Sequence, residues 1–459
     1  MTEASEKAVV RLDEYDRHSD IVAEANVKDI TSAPLGNVPS EIPANTTPVE
    51  VPDGGARAWL QVLGCFFLWF NLWGYTFAFG TFQNYYEQQY LPTTSSSAIA
   101  WIGSIQSFLL IISGLWTGPI FDWGYYMYLI YFGACLSTLG AFMLSLSDQY
   151  WQIFLTQGLC IGFGCGALFI PTMALISRSF VKNRSIAVGL CTCGAPIGGI
   201  LYTVLFEACL PKLGFAWTAR VLGFFMLGTY CVALPLLLLG ATNTKSLSTG
   251  KKRKLFDKAA LKDAPFWSYS GVTFTTFMAY LVPYFYMPSY AQSVLGQTQA
   301  RASYTLIASQ AASVPGRMLA AVAANYFGVM VAWTGCAAIS AIVCFAWMGV
   351  NSYAGFVAFC AFYGAFSGPL VPLPPSIFPV VCPDPKVLGT RLGMAQSISS
   401  IANLIGPPIA GAVLRASNPD GKHFVGVQLF TGLLMALGSI QLMFLWRLLH
   451  TKRGTKFWI

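Results

Sequence analysis

The sequence predicts an all-α membrane protein of twelve transmembrane helices in two pseudo-symmetric six-helix halves. Three observations predict it. Of the 459 residues, 55% are hydrophobic and only 10% are charged, where about 25% charge is usual in soluble domains. A soluble chain of this length needs far more charge to cover its surface, so a soluble enzyme is excluded at the first step. Apolar runs close to the roughly 20 residues that a bilayer requires recur with short breaks from residue 58 to residue 447. Finally, short motifs in the first half of that stretch return in the second half at similar offsets.

Residues 1–57 hold 11 of the 19 acids and 5 of the 27 bases, a net charge of −6, against +14 for the rest. This segment has no basic n-region and no apolar h-region, so no cleavable signal peptide is expected and the first membrane helix acts as the insertion signal. Its 31–52 stretch is rich in Pro, Ser, Thr and Asn, and the segment reads as a disordered, acidic, cytoplasmic tail. The first half, residues 58–240, carries helix cores at 58–82, 98–117, 125–147, 151–176, 186–206 and 216–240. A basic cytoplasmic loop, 241–267, is the longest internal polar segment. The second half, 268–447, carries cores at 268–294, 302–324, 329–350, 353–381, 391–414 and 424–447, and a short cytoplasmic tail, 448–459, follows.

Orientation follows from Lys and Arg, which favour cytoplasmic loops. With both ends inside, 21 of these residues fall on the cytoplasmic side and 4 (Lys212, Arg301, Arg415 and Lys422) on the other. The run Lys251-Lys252-Arg253-Lys254 is expected to serve as this topology signal. The halves also repeat each other. Gly194-Ala195-Pro196-Ile197-Gly198-Gly199 in the fifth helix returns as Gly406-Pro407-Pro408-Ile409-Ala410-Gly411 in the eleventh, Pro196 and Pro408 being 212 residues apart. Gly124 and Gly328, after the second and eighth helices, are 204 apart. Parallel repeats of this kind place a substrate between the halves near the bilayer midplane.

The order of motifs along the chain resembles the major facilitator superfamily, in particular its monocarboxylate-transporter-like branch of fungal type. The motifs are Asp53-Gly54-Gly55-Ala56-Arg57-Ala58-Trp59, Phe79 to Glu87, Gln157-Gly158 with Gly162, Gly164, Gly166 and Pro171, and Arg184 through Gly189 to Gly199. Pro283 to Ala291, Gly316-Arg317, Tyr363-Gly364 with Ser367-Gly368, and Gly389 to Met394 complete the set. The resemblance implies the major facilitator fold and transport by alternating access, with Arg317 in the position of the branch's substrate-anion arginine. It also implies that two usual groups are replaced: Ser313 stands where an aspartate proton acceptor is common, and Phe77 where a lysine is common. The loop after the second helix keeps Gly118, Asp122 and Gly124 but has Trp123 and Tyr125 where basic residues are usual, which weakens a charge-based latch.

The residues themselves support an anion site. Arg317 lies 15 residues into the eighth core, about 22 Å from its outer end at 1.5 Å per residue. A guanidinium at that depth lines a cavity and contacts substrate by default, the alternative being that it pairs with helix C-terminal or unwound backbone carbonyls. Tyr284 and Tyr290, on a seventh helix interrupted by Pro283 and Pro288, are chosen as cavity aromatics suited to a substrate bulkier than lactate. Glycines in the fifth and eleventh helices let the halves approach and slide. Gating is therefore assigned to Pro196, Gly198, Gly199, Pro408 and Gly411 and, as the resemblance implies, to Asp122, Gly124 and Arg184, with capping of a helix terminus the equal alternative for Asp122. None of the eight acids beyond residue 57 falls in mid-membrane and the three histidines lie outside the cores, so no interior proton relay is evident.

The twelve cysteines include no CxxC pair, and all but Cys382 fall in or at the ends of apolar runs. They are expected to pack rather than to form disulfides or bind metal. No cofactor, metal or nucleic acid is expected, and no catalytic cluster suggests an enzyme. The first expectation is a plasma-membrane carrier of a monocarboxylate or related organic anion, working as a monomer in the lipid bilayer. An efflux transporter for an apolar fungal secondary metabolite is the alternative, and a non-transporting membrane sensor the second.

Overall fold

The computed structural model describes residues 55–180, 184–240, 257–384, 387–417 and 423–453. The acidic tail up to residue 54, the basic run Lys251 to Lys254 and the last residues of the chain lie outside the described residues.

Ten helices among the described residues are long and apolar enough to cross a membrane. One of them, Ile186–Gly240, breaks at Gly214, where φ is 71° and ψ 174°. That backbone conformation suits a residue without a Cβ, and the chain turns back there. Gly194 sits on the Phe66 carbonyl, Phe206 packs on Phe82 at 4.6 Å and Phe215 on Tyr90 at 4.6 Å, after which Gly240 reaches the Arg57 carbonyl. The segment is thus two antiparallel passes along the first helix. A further helix, Ala264–Ser293, falls short of the hydropathy of the ten because it carries Tyr, Thr, Ser and Pro, yet from Thr275 to Ala291 it is almost wholly buried.

The twelve passes are α1 (Ala56–Tyr90), α2 (Ser96–Gly118), α3 (Tyr126–Leu144), α4 (Tyr150–Ile176), α5 (186–213), α6 (215–240), α7 (Ala264–Ser293), α8 (Gln299–Phe327), α9 (Val329–Gly349), α10 (Tyr353–Val381), α11 (Leu388–Ala416) and α12 (Val425–Lys452). We call the end at which α1 begins the near end and the opposite one the far end.

Glycine sets how closely these helices pack. A Cβ on Gly194 would strike the Phe66 carbonyl of α1, and one on Gly406 would strike the Met278 carbonyl of α7. Phe66 and Met278 are 212 apart, as are Gly194 and Gly406. One backbone-to-backbone contact, α5 on α1, is therefore repeated as α11 on α7, which makes the duplication seen in sequence a physical one. Gly124 and Gly328 likewise share a φ of 90°, each turning the chain between successive passes. In the second half, Gly316 and Gly364 bring α8 and α10 into backbone contact, through the Ala365 and Ser309 carbonyls.

The halves meet through α1, α2 and α5 on one side and α7, α8 and α11 on the other. Ser97 Oγ donates to the Pro408 carbonyl at 2.8 Å and the Tyr286 hydroxyl to the Pro407 carbonyl at 3.1 Å. Gly411 leaves room for both Tyr286 and Ser97. At the far end the seam is closed by hydrogen bonds, including Asn84 Nδ2 to Gln292 Oε1 at 2.6 Å and Gln89 Nε2 to Gln299 Oε1 at 2.7 Å. Towards the near end an apolar cleft of about 870 Å³ opens between Trp116, Ile120 and Trp123 of the first half and Phe266, Trp267 and Ile398 of the second.

Candidate functional site

Arg317 is 3% exposed in the middle of the bundle. Its Nη1 donates to the Thr192 carbonyl, across the interface between the halves, at 2.6 Å. That acceptor is available because its ladder donor, four residues on, would be Pro196, which has no N–H, while Cys193 on its flank keeps its bonds to Gly189 and Ile197. The arginine thus has a partner, but its Nε has none. A buried guanidinium donates through five N–H groups in a rigid fork, and one neutral carbonyl leaves most of that capacity open to an anion.

The eighth helix presents a polar stripe to this region. Ser303, Gln310, Ser313 and Arg317 follow one another at seven, three and four residues, which is one face of a 3.6-residue helix. Both amide atoms of Gln310, the Ser313 hydroxyl and the Ser309 hydroxyl are buried without hydrogen-bond partners. Tyr280 and Tyr284, one turn apart on α7, complete the second half's wall. The Tyr284 hydroxyl pairs with Ser367 Oγ at 2.9 Å, and the Tyr280 hydroxyl lies beside Arg317 and Tyr284 without completing a well-formed hydrogen bond to either. Tyr280 is itself held by Tyr363, whose hydroxyl donates to the Tyr280 carbonyl at 2.9 Å.

The first half contributes an aromatic wall. Phe77 lies 5.3 Å from Tyr284 and 6.4 Å from Tyr280, ring centre to ring centre, and Trp73 stands 5.7 Å behind Phe77. The Trp73 indole N–H is buried and unpartnered. Gly199 faces Phe77 and Gln310, and a Cβ there would meet them at 3.2 and 3.3 Å. The arrangement therefore combines one cation and several unspent hydrogen-bonding atoms with flat aromatic surfaces.

The structure brings together five of the residues singled out in the sequence: Arg317, Ser313, Phe77, Tyr284 and Gly199. Tyr290 is placed elsewhere. Its hydroxyl donates to the Val350 carbonyl at 2.9 Å, and its ring packs on Trp347, Phe356 and Phe424 towards the far end. It is six residues beyond Tyr284, neither three nor four, so it leaves the cavity face of α7. Gln310, Tyr280, Trp73 and Ser309 were missed. The signal was present for Gln310, which lies two turns before Arg317 on the same face. Among the gating residues, Gly198 packs on the Phe70 carbonyl, Pro196 is buried in the same contact region and Pro408 accepts from Ser97. Asp122 ends the short helix Gly114–Asp122 and Arg184 begins Arg184–Thr192.

Residues 61–386 match the Major Facilitator Superfamily. The chain is 34% identical over 381 residues to the MFS-type transporter dbaD of Emericella nidulans, covering 83% of this chain and 84% of that one. It is 34% identical over 390 residues to the aspyridones efflux protein apdF of the same fungus, covering 85% and 77%. The agnestins efflux protein of Paecilomyces divaricatus is 32% identical over 417 residues, covering 90% and 92%. Among solved structures, the nucleoside transporter NupG, in mutant form, superposes with a TM-score of 0.64 at 13% identity, covering 84% of this chain and 99% of its own. That likeness shows the shared fold.

Proposed function

The chain belongs to the Major Facilitator Superfamily and is a membrane transporter, and we propose that it exports an amphipathic secondary metabolite carrying an acidic group. The observation that carries this is the pairing of the half-satisfied Arg317 with the aromatic wall of Trp73, Phe77, Tyr280 and Tyr284. The arginine holds the acidic group by charge-assisted hydrogen bonds, and the rings cover a flat apolar body. The relatives named for efflux of aspyridones and agnestins support export over uptake of a small monocarboxylate, the first expectation from sequence. None of the relatives described above is named as a monocarboxylate carrier.

Transport proceeds by rocking of one half against the other about this site. The near end faces the cytoplasm of a plasma-membrane protein with both termini inside, as the Lys and Arg distribution supports. The closed far-end seam and the buried Arg317, Phe77, Tyr280 and Tyr284 then correspond to an occluded arrangement. Gly194, Gly198, Gly406 and Gly411 supply the smooth contacts within and between halves, and Asp122, Gly124 and Arg184 act in the near-end loops. The protein works as a monomer, without cofactor or metal.

Purified protein in liposomes, tested with a labelled panel running from lactate to bulky aromatic weak acids, checks this reading. Saturable movement of an aromatic acid with no movement of lactate is the expected result. Lactate transport at a comparable rate would restore the monocarboxylate reading.

A further inference from the structure

Arg317 is one end of a longer polar stripe on α8. Gln310 lies seven residues before it, about 10 Å along the helix axis. Contacts with α5 give the same span: Gln310 lies against Gly199 and Arg317 against Thr192, again seven residues apart. Both amide atoms of Gln310 are unpartnered, and the residue is only 1% exposed. A primary amide offers a donor and an acceptor together, whereas a guanidinium only donates. The two ends of the stripe therefore suit different chemistry, an anion at Arg317 and a neutral group that both donates and accepts at Gln310.

Across the interface between the halves, α1 carries an aromatic ladder of similar length. Trp69, Trp73 and Phe77 follow one another at one turn, with ring centres 6.4 and 5.7 Å apart. The eight residues from first to last cover about 12 Å. Phe77 stands at the Gln310 end, against the same Gly199. Trp69 stands at the Arg317 end, between Phe66 and Phe70, whose backbone holds Gly194 two residues beyond Thr192. The indole N–H groups of Trp69 and Trp73 are both buried and unpartnered, so the edge of the ladder can donate to ring oxygens while its faces cover rings. Each span lies within a single helix. Rocking of the halves widens the gap between stripe and ladder and leaves both lengths unchanged.

We propose, building on the acidic substrate inferred above, that the site measures its substrate from both ends. The substrate is an elongated, flat molecule with its acidic group on Arg317 and a neutral hydroxyl or amide on Gln310, about 10 Å away. Its ring body lies along Trp69, Trp73 and Phe77. Gln310 and the two tryptophans are then residues that determine specificity by length and by the group at the far end, while Arg317 selects the charge alone.

Isothermal titration of the full chain in lipid nanodiscs tests this with three acids. They are biphenyl carrying a para carboxylate, the same acid with a hydroxyl at the opposite para position, and para-hydroxybenzoate. In the hydroxylated biphenyl acid the two polar ends stand about as far apart as Arg317 and Gln310. It should bind the wild type at least about tenfold more tightly than either of the others. Gln310→Leu, which removes two unpartnered buried atoms and should fold well, is expected to bring the two biphenyl acids within about twofold of each other. Trp73→Leu should shrink the preference for the hydroxylated biphenyl acid over para-hydroxybenzoate at least about threefold. Equal binding of the two biphenyl acids by the wild type, or a full preference surviving in Gln310→Leu, would overturn the proposal and leave the acidic-substrate reading standing. Binding of none of the three acids would overturn both.

Discussion

The Arg317 guanidinium reaches from the second half to the Thr192 carbonyl of the first at 2.6 Å, joining the two halves at the level of the aromatic wall. Under the proposed function the same guanidinium would also hold the substrate's acidic group, so an anion drawing Nη1 away from the neutral Thr192 carbonyl would couple binding to release of the tie.

Replacing Arg317 with Gln should weaken the apparent affinity for an acidic substrate by roughly 10- to 100-fold, the equivalent of about 1.5–3 kcal/mol for a hydrogen bond to a charged group. Arg317→Lys should recover only part of it, since a point charge cannot reproduce the fork. Concentration dependence of transport in liposomes measures both.

Tyr284 and Tyr290 should separate cleanly. Tyr284→Phe removes the bond to Ser367 beside the site and should raise KM severalfold. Tyr290→Phe removes the bond to Val350 and should leave KM unchanged while lowering stability by about 1 kcal/mol. Thermal unfolding in detergent together with transport kinetics distinguishes the two.

The repeated glycine contacts give a steric prediction. Gly194→Val and Gly406→Val should each cost about 1–3 kcal/mol or more by forcing helices apart, seen as loss of monodisperse protein. Gly228→Val and Gly335→Val, at positions with no neighbour within 4 Å, should be tolerated.

Arg391 ties the start of α11 to the segment before α7, through Nε to Asp257 at 2.7 Å and Nη1 to Asp263 at 2.9 Å. All three side chains are only 13–18% exposed. Arg391→Ala should therefore destabilise the second half by about 1–3 kcal/mol, measured by thermal unfolding, with little effect on the affinity for substrate.

Much of this was legible in the sequence, because bilayer thickness and the cost of buried charge leave few readings open. The passes follow from apolar length, and Arg317 stands out because a guanidinium at that depth needs a partner, which the Thr192 carbonyl supplies in part. The Pro196–Pro408 offset led to the repeat that the Gly194 and Gly406 contacts then make physical. What stayed hidden depended on side-chain direction. Tyr290 and Tyr284 look equivalent until helix phase and the Val350 carbonyl separate them. Gln310 was overlooked because a neutral amide draws less attention than a charge.

The most direct test of the central claim is counterflow of a labelled aromatic acid in liposomes holding equal amounts of wild-type and Arg317→Gln protein. Saturable counterflow by the wild type, with the variant at least about tenfold weaker at low substrate and correctly folded, is the predicted result. Equal counterflow by the two proteins would show that Arg317 only ties the halves together and would contradict the account.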